Sequence, residues 1–239
     1  MEGARVQLFV TCLVDALAPH VGRATVAALE KAGCEVDFPA GQGCCGQPAF
    51  NVGLLDDARA MAARTLEVLD GTEGPIVLPS GSCAVMIRSH YPDLFADGDL
   101  SEVAERVGGR VRELTEYLVD DLGSNLTARC EGCAVAYHYS CHGLRDLGLS
   151  GQADRLLEGV ERVPLEDDVV CCGFGGIFSI EMPAVSTAMM NEKLDKIVES
   201  GADTVVGGDV SCLLHLQGGL RRRGVDIAFK HIAELLGEA

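Results

Sequence analysis

Apolar positions along this 239-residue chain change period several times, and each change marks a switch between strand and helix. Val6-Gln7-Leu8-Phe9-Val10-Thr11-Cys12 and Val135-Ala136-Tyr137-His138-Tyr139-Ser140-Cys141 are short β-rich runs, each ending in a hydroxyl residue and a cysteine. Both predict a strand feeding a loop. Ile76-Val77-Leu78-Pro79-Ser80-Gly81-Ser82-Cys83 and Val205-Val206-Gly207-Gly208-Asp209-Val210-Ser211-Cys212 predict two more strands, each delivering a cysteine after a glycine-bearing turn. Between them the period lengthens to three or four. Residues 17–32 place Leu17, Val21, Thr25, Ala28 and Leu29 on one face, and 52–69 do the same with Leu55, Ala58, Met61, Ala62, Leu66 and Leu69. Residues 183–199 repeat the pattern through Val185, Ala188, Met189, Leu194 and Val198, with Pro183 suited to a first helical turn. The charged, helix-forming stretch 98–128 predicts a helical connector, and 227–237 a C-terminal helix. Strands alternating with helices make an α/β fold of βαβ units. The matched strands make it internally duplicated, with repeats at 1–97 and 131–239 around a connector at 98–130.

The cysteines repeat with the strands. Cys12, Cys44, Cys45 and Cys83 recur as Cys141, Cys171, Cys172 and Cys212, at offsets of 129, 127, 127 and 129. Four thiolates are what an iron–sulfur cluster needs, so each repeat carries a complete candidate ligand set, one crevice per half at the carboxyl ends of the strands. The chemistry centres on Cys44-Cys45-Gly46 and Cys171-Cys172-Gly173. Zinc fingers space paired ligands by two to four residues. Turning two adjacent thiolates onto one centre instead requires a sharp backbone bend, which the following glycine permits. One such triplet is compatible with buried structural cysteine; two in register favour cluster binding.

Three cysteines fall outside the sets. Cys130-Glu131-Gly132-Cys133 has the spacing of a zinc half-site or a redox pair, but lacks a counterpart in the first half. Incidental linker cysteines are the expected reading, and Cys34 is expected to pack as a small hydrophobe. His142 and His215 stand near cluster cysteines and are candidates to hydrogen-bond sulfur or ligate; solvated or structural histidine is the alternative for each. Gly173-Phe174-Gly175-Gly176 lacks the endings of a phosphate loop or a dinucleotide fingerprint.

Composition narrows the partners. Nineteen basic against thirty-six acidic residues give a net charge of −17, which disfavours nucleic acid and anionic membrane. The one basic run, Arg221-Arg222-Arg223, reads as a helix end. Glu2 and Asp15 argue against a signal peptide over Val6–Ala18, and the absence of a run of about 18 apolar residues argues against a membrane span. A cytoplasmic location follows as an expectation, and reduced thiols there favour ligation over disulfides.

The doubled pattern of one cysteine, Cys-Cys-Gly and a further cysteine resembles the CCG cysteine-rich domain family. Its relatives include the cysteine-rich subunit of heterodisulfide reductase and the iron–sulfur subunits of glycolate oxidase and anaerobic glycerol-3-phosphate dehydrogenase. Within it the chain is most similar to the lactate utilization protein A group. Gly43-Cys44-Cys45-Gly46-Gln47-Pro48-Ala49, Pro79–Cys83, Ser140-Cys141-His142-Gly143-Leu144-Arg145, Cys171–Gly176 and Gly208–Cys212 carry the resemblance. It implies an iron–sulfur electron-transfer subunit of a multi-component system oxidising L-lactate to pyruvate, with up to two clusters, [4Fe–4S] by preference. Its partners would be other iron–sulfur and accessory subunits, and the chain itself would supply no substrate base. The family's heterodisulfide-reductase branch ends each motif in CxxC. Here Ser80 and Asp209 replace the first cysteine of each, leaving four thiols per site. That departure weighs against a thiol–disulfide redox subunit, and adjacent cysteines weigh against a zinc-stabilised scaffold. Asp209 is a candidate oxygen ligand, with a solvated loop aspartate the expected reading.

Overall fold

The computed structural model describes residues 3–166 and 169–237. Strand β1 (Ala4–Leu8) is the hub of a first sheet. It pairs in parallel with β2 (Cys34–Asp37) on one side and β3 (Ile76–Leu78) on the other, and β3 pairs with β4 (Val111–Glu113), giving the order β2-β1-β3-β4. In the second sheet β5 (Val135–His138), β6 (Thr204–Gly207) and β7 (Ala228–His231) run parallel in sequence order. Strands β3, β5 and β6 are buried throughout, as parallel strands covered on both faces must be. The duplicated α/β architecture is therefore present, with one abbreviation. The place of β2 is taken in the second half by a single bridge between Val135 and Arg162.

Helices Pro19–Lys31, Leu55–Asp70 and Pro183–Glu199 occupy the stretches whose three-to-four periodicity predicts them, and Pro183 stands at the helix start. Arg221-Arg222-Arg223 closes helix Val210–Arg223, where Gly224 takes the left-handed C-cap conformation. Arg223 reaches Asp195 at 2.6 Å and Asn191 at 2.8 Å, so the basic run is a helix end tied to its neighbour.

Two stretches differ from expectation. The connector contains helix Ser101–Arg110 and the helical segment 114–121, but between them it supplies β4 to the first sheet. The last stretch begins as β7, and only Ile232–Gly237 is helix. That helix packs on Pro19–Lys31 of the first half. Ile232, Ala233, Leu235 and Leu236 share one core with Val6, Leu29, Val77, Val135 and Val206 from both sheets. Burying each of these leucines contributes about 1.5–3 kcal/mol, so the C-terminal helix clamps the halves to each other. No helix among the described residues is long and apolar enough to cross a membrane.

Candidate metal or cluster centre

Every strand that delivers a cysteine does so in the same way. The chain leaves the carboxyl end of a parallel strand and at once begins a helix whose first turn holds the thiol. Cys12 opens helix Cys12–Leu17 after β1, and Cys83 lies in helix Gly81–Val85 after β3. Cys141 leads into the helical turn His142–Asp146 after β5, and Cys212 lies in helix Val210–Arg223 after β6.

The Cys-Cys-Gly triplets enter from the side. Gly46 and Gly173 both have φ of 85°. A Cβ at either would meet the opposing helix, 3.1 Å from the Ala58 carbonyl oxygen and 2.5 Å from that of Ser186. Left-handed backbone and close approach together make glycine obligatory there. The first loop is pinned by Gln42, which donates to the Leu8 carbonyl at 2.7 Å and accepts from the Val10 amide at 2.8 Å. Tyr91 donates to the Cys45 carbonyl at 2.8 Å, and Ser186 to the Gly173 carbonyl at 2.7 Å.

The thiols converge. Sγ atoms of Cys45 and Cys83 are 3.4 Å apart, those of Cys172 and Cys212 are 3.1 Å apart, and those of Cys141 and Cys171 are 3.8 Å apart. Thiolates about 2.3 Å from one tetrahedral metal ion are separated by roughly 3.8 Å, so these pairs are close enough to share a single metal ion. In each set one sulfur gathers donors. Hydrogen bonding from Cys12, then from Cys45 and the Gly46 amide, lowers the pKa of Cys44. Cys141, then Cys172 and the Gly173 amide at 3.4 Å, do the same for Cys171. Donation to these thiolates raises the pKa of Cys12, Cys45, Cys141 and Cys172. A backbone amide aimed at sulfur is the contact that tunes cluster potentials.

All eight cysteines line a single cavity of about 350 Å³. The expectation of one crevice per half is thus corrected, because the two crevices open onto each other. The cause is a junction at the two positions where the repeat lacks a fifth cysteine. Ser80 and Asp209 are equivalent residues, each N-capping a cysteine-bearing helix, and they form an antiparallel bridge with each other. Asp209 is 3% exposed, neither solvated nor free to ligate. Its Oδ2 accepts from Ser80 Oγ at 3.0 Å, Ser82 N at 3.2 Å and Ser82 Oγ at 2.8 Å. Oδ1 accepts from Ser211 N at 3.1 Å and from Ser211 Oγ. One carboxylate therefore fastens the two helix starts that carry Cys83 and Cys212. Asp209→Ala leaves several buried donors unsatisfied and is expected to cost about 3 kcal/mol. Urea denaturation measures this, and a loss below about 1 kcal/mol would mean that the bridge is not what joins the halves.

The remaining candidates are placed as follows. His142 lines the cavity with Nε2 3.4 Å from Gln47 Nε2 of the other half. His215 is half-buried against Phe174, its Nε2 without a partner, and burial lowers its pKa. Gly175 and Gly176 carry the chain past the cavity with φ of 55° and 65° into the short helix Phe178–Glu181. Cys34 is buried at the start of β2, 4.0 Å from the Tyr117 hydroxyl. Cys130 and Cys133 depart from the expectation of incidental thiols: they form a disulfide with Cα atoms 5.5 Å apart, Gly132 turning the chain at φ 69°.

Sequence reasoning passed over His138, the last residue of β5. A nitrogen of its ring and the sulfurs of Cys172 and Cys212 all lie within 4.8 Å of one another, and all three residues are buried. Burial lowers the His138 pKa to about 3, so the imidazole is neutral and able to donate a lone pair. Convergent thiolates, sulfur-directed amides and this unpartnered imidazole are a donor set that fits a thiophilic metal or an iron–sulfur cluster.

The family described as "Cysteine-rich domain" (CCG) matches residues 6–88 and 135–217. Lactate utilization protein A of Macrococcus caseolyticus is 48% identical over 237 residues, covering 97% of this chain and 96% of its own length. Its namesake from Exiguobacterium sp. is 44% identical, covering 98% and 97%. That from Bacillus subtilis is 41% identical, covering 97% and 98%. Among solved structures, an aspartate racemase homologue from Pyrococcus horikoshii aligns over 100% of this chain and 96% of its own at 9% identity. Its TM-score of 0.35 is too low to bear on fold or function. Two copies of the cysteine-rich domain and relatives matched from end to end place this chain in the lactate utilization protein A family.

Proposed function

We propose that this protein is an iron–sulfur electron-transfer subunit of a multi-component system oxidising L-lactate to pyruvate. Cys12, Cys44, Cys45 and Cys83 would hold one cluster, and Cys141, Cys171, Cys172 and Cys212 a second. The observation that carries the reading is the gathering of both four-cysteine sets on one cavity. A bound cluster supplies one-electron transfer. The chain's own groups supply the setting for it. Amides of Gly46, Gly173 and Phe174 point at sulfur, which favours anionic thiolate. Phe9 and the ring of Tyr91 share an apolar core with Cys45 and Cys83, which limits water at that set. The substrate follows from the names of the relatives and from nothing in the cavity itself. Electrons would come from and go to other subunits, in the cytoplasm.

Purified without oxygen, the protein is expected to be brown, to contain iron and acid-labile sulfide in comparable amounts, and to bleach with dithionite. A colourless preparation from iron-replete cells, carrying stoichiometric zinc and no sulfide, would replace this reading with a zinc-stabilised scaffold.

A further inference from the structure

The two ligand sets are not chemically equivalent. The offset of 129 that relates Cys12 to Cys141 places His138 opposite Phe9. Phe9 directly follows β1 and His138 ends β5, the matching strand of the second repeat, and each is 1% exposed. Phe9 belongs to the same apolar core as Cys45 and Cys83. His138 stands at the equivalent pair, Cys172 and Cys212, with an imidazole. Neither of its ring nitrogens has a hydrogen-bond partner, although both are buried.

Of the charged groups acting on the ring, Cys171 belongs to the same ligand set, Asp209 is engaged elsewhere and Lys193 is of the wrong kind. Asp209 already accepts from three serines. Lys193, whose field reaches the ring, can only donate and offers no acceptor for an imidazole N–H. A fully buried histidine whose two ring nitrogens lack partners, within ligand reach of two thiols, forms with them a donor set for a metal ion.

We propose that His138 ligates the metal held by Cys172 and Cys212, making the second-half centre a mixed imidazole–thiolate site while the first-half centre is thiolate alone. The assignment builds on the cluster reading above but is tested separately from it. His138 takes the place of one of the four second-set thiolates, and imidazole in place of thiolate raises the potential of a cluster. The second centre is therefore reduced first, and electrons entering the shared cavity settle in the second half.

The test uses full-length protein, loaded anaerobically with iron and sulfide and labelled with ¹⁵N-histidine. Pulsed electron paramagnetic resonance on the reduced protein should show a strong histidine nitrogen coupling that His138→Phe abolishes. The same variant should lower one of two resolved reduction steps toward the other. Phenylalanine already fills the matching position in the first half, so the substitution suits the fold, and circular dichroism checks it. Wild-type protein that takes up iron and sulfide yet shows no directly bound histidine nitrogen would overturn the assignment and leave the cluster reading intact. A coupling that survives His138→Phe would overturn it too, pointing to His142 or His215. Should no cluster form at all, Co²⁺ binding to the thiol form decides. His138→Phe should then remove one Co²⁺ site or weaken it by more than about tenfold, and unchanged Co²⁺ binding would refute the role.

Discussion

Cys45→Ser and Cys172→Ser are each expected to remove one half's share of iron and sulfide while sparing the other. Both residues are 2% exposed. Each is the middle member of its set, hydrogen-bonded to the preceding cysteine and to the partner on the neighbouring helix. A serine hydroxyl does not ionise at neutral pH, so the harder alkoxide needed to replace thiolate on a thiophilic metal is missing. Burial of an extra hydroxyl adds a cost of about 1–3 kcal/mol, which leaves a folded chain whose remaining set is still complete. Cys34→Ser, Cys130→Ser and Cys133→Ser should keep full iron content, since Cys34 is packed against Tyr117 and the other two are bonded to each other. Iron and sulfide per chain, measured without oxygen, decide the matter. Undiminished iron in Cys45→Ser would break the ligand assignment. Complete loss from a single substitution would show that the shared cavity holds one composite centre.

What the sequence revealed and concealed has a common physical origin. Strands β3, β5 and β6 are buried on both faces and rich in apolar residues, and β1 leads into the apolar run Leu8-Phe9-Val10, so these four were visible. The edge strands β2, β4 and β7 were not. Each has three or four residues with a charge inside, as in Cys34-Glu35-Val36-Asp37 and Val111-Arg112-Glu113, and so few positions cannot display a period of two. The turn glycines Gly46 and Gly173 were legible because one local geometry demands them twice. The shared cavity was not legible, because it depends on how two repeats meet. Ser80 and Asp209 showed only as missing cysteines, although their pairing across the junction is what merges the crevices. His138 left a weak signal: a histidine inside an apolar strand, aligned with a phenylalanine in the other repeat. The disulfide ran against the expectation drawn from a reducing compartment. Its CxxC spacing places two cysteines within bonding reach wherever the chain turns at Gly132.

Purified alone, the chain is expected not to oxidise L-lactate, whereas deletion of its gene should abolish growth on lactate as sole carbon source. Removing hydride equivalents from the α-carbon of a hydroxy acid requires a base near substrate and an acceptor for two electrons. Around the cavity the titratable groups are mostly thiols. The one carboxylate among them, Asp209, is committed to serine and amide donors, and His138 is buried behind Cys172 and Cys212. His142 also lines the cavity, and its Nε2 lies beside Gln47 Nε2. On the proposed reading, substrate chemistry would belong to a partner and this chain would pass electrons onward. A surface of net charge −17 fits docking to basic patches on other proteins, and such docking weakens as salt rises. Lactate-dependent reduction of an acceptor should return only when the cluster-loaded chain is mixed with its partner subunits, and Cys45→Ser or Cys172→Ser should fail to restore it. Turnover of lactate by the purified chain would make it a catalyst in its own right. Normal growth of the deletion strain, with no second lactate route present, would remove lactate as the substrate while leaving the two ligand sets as they stand.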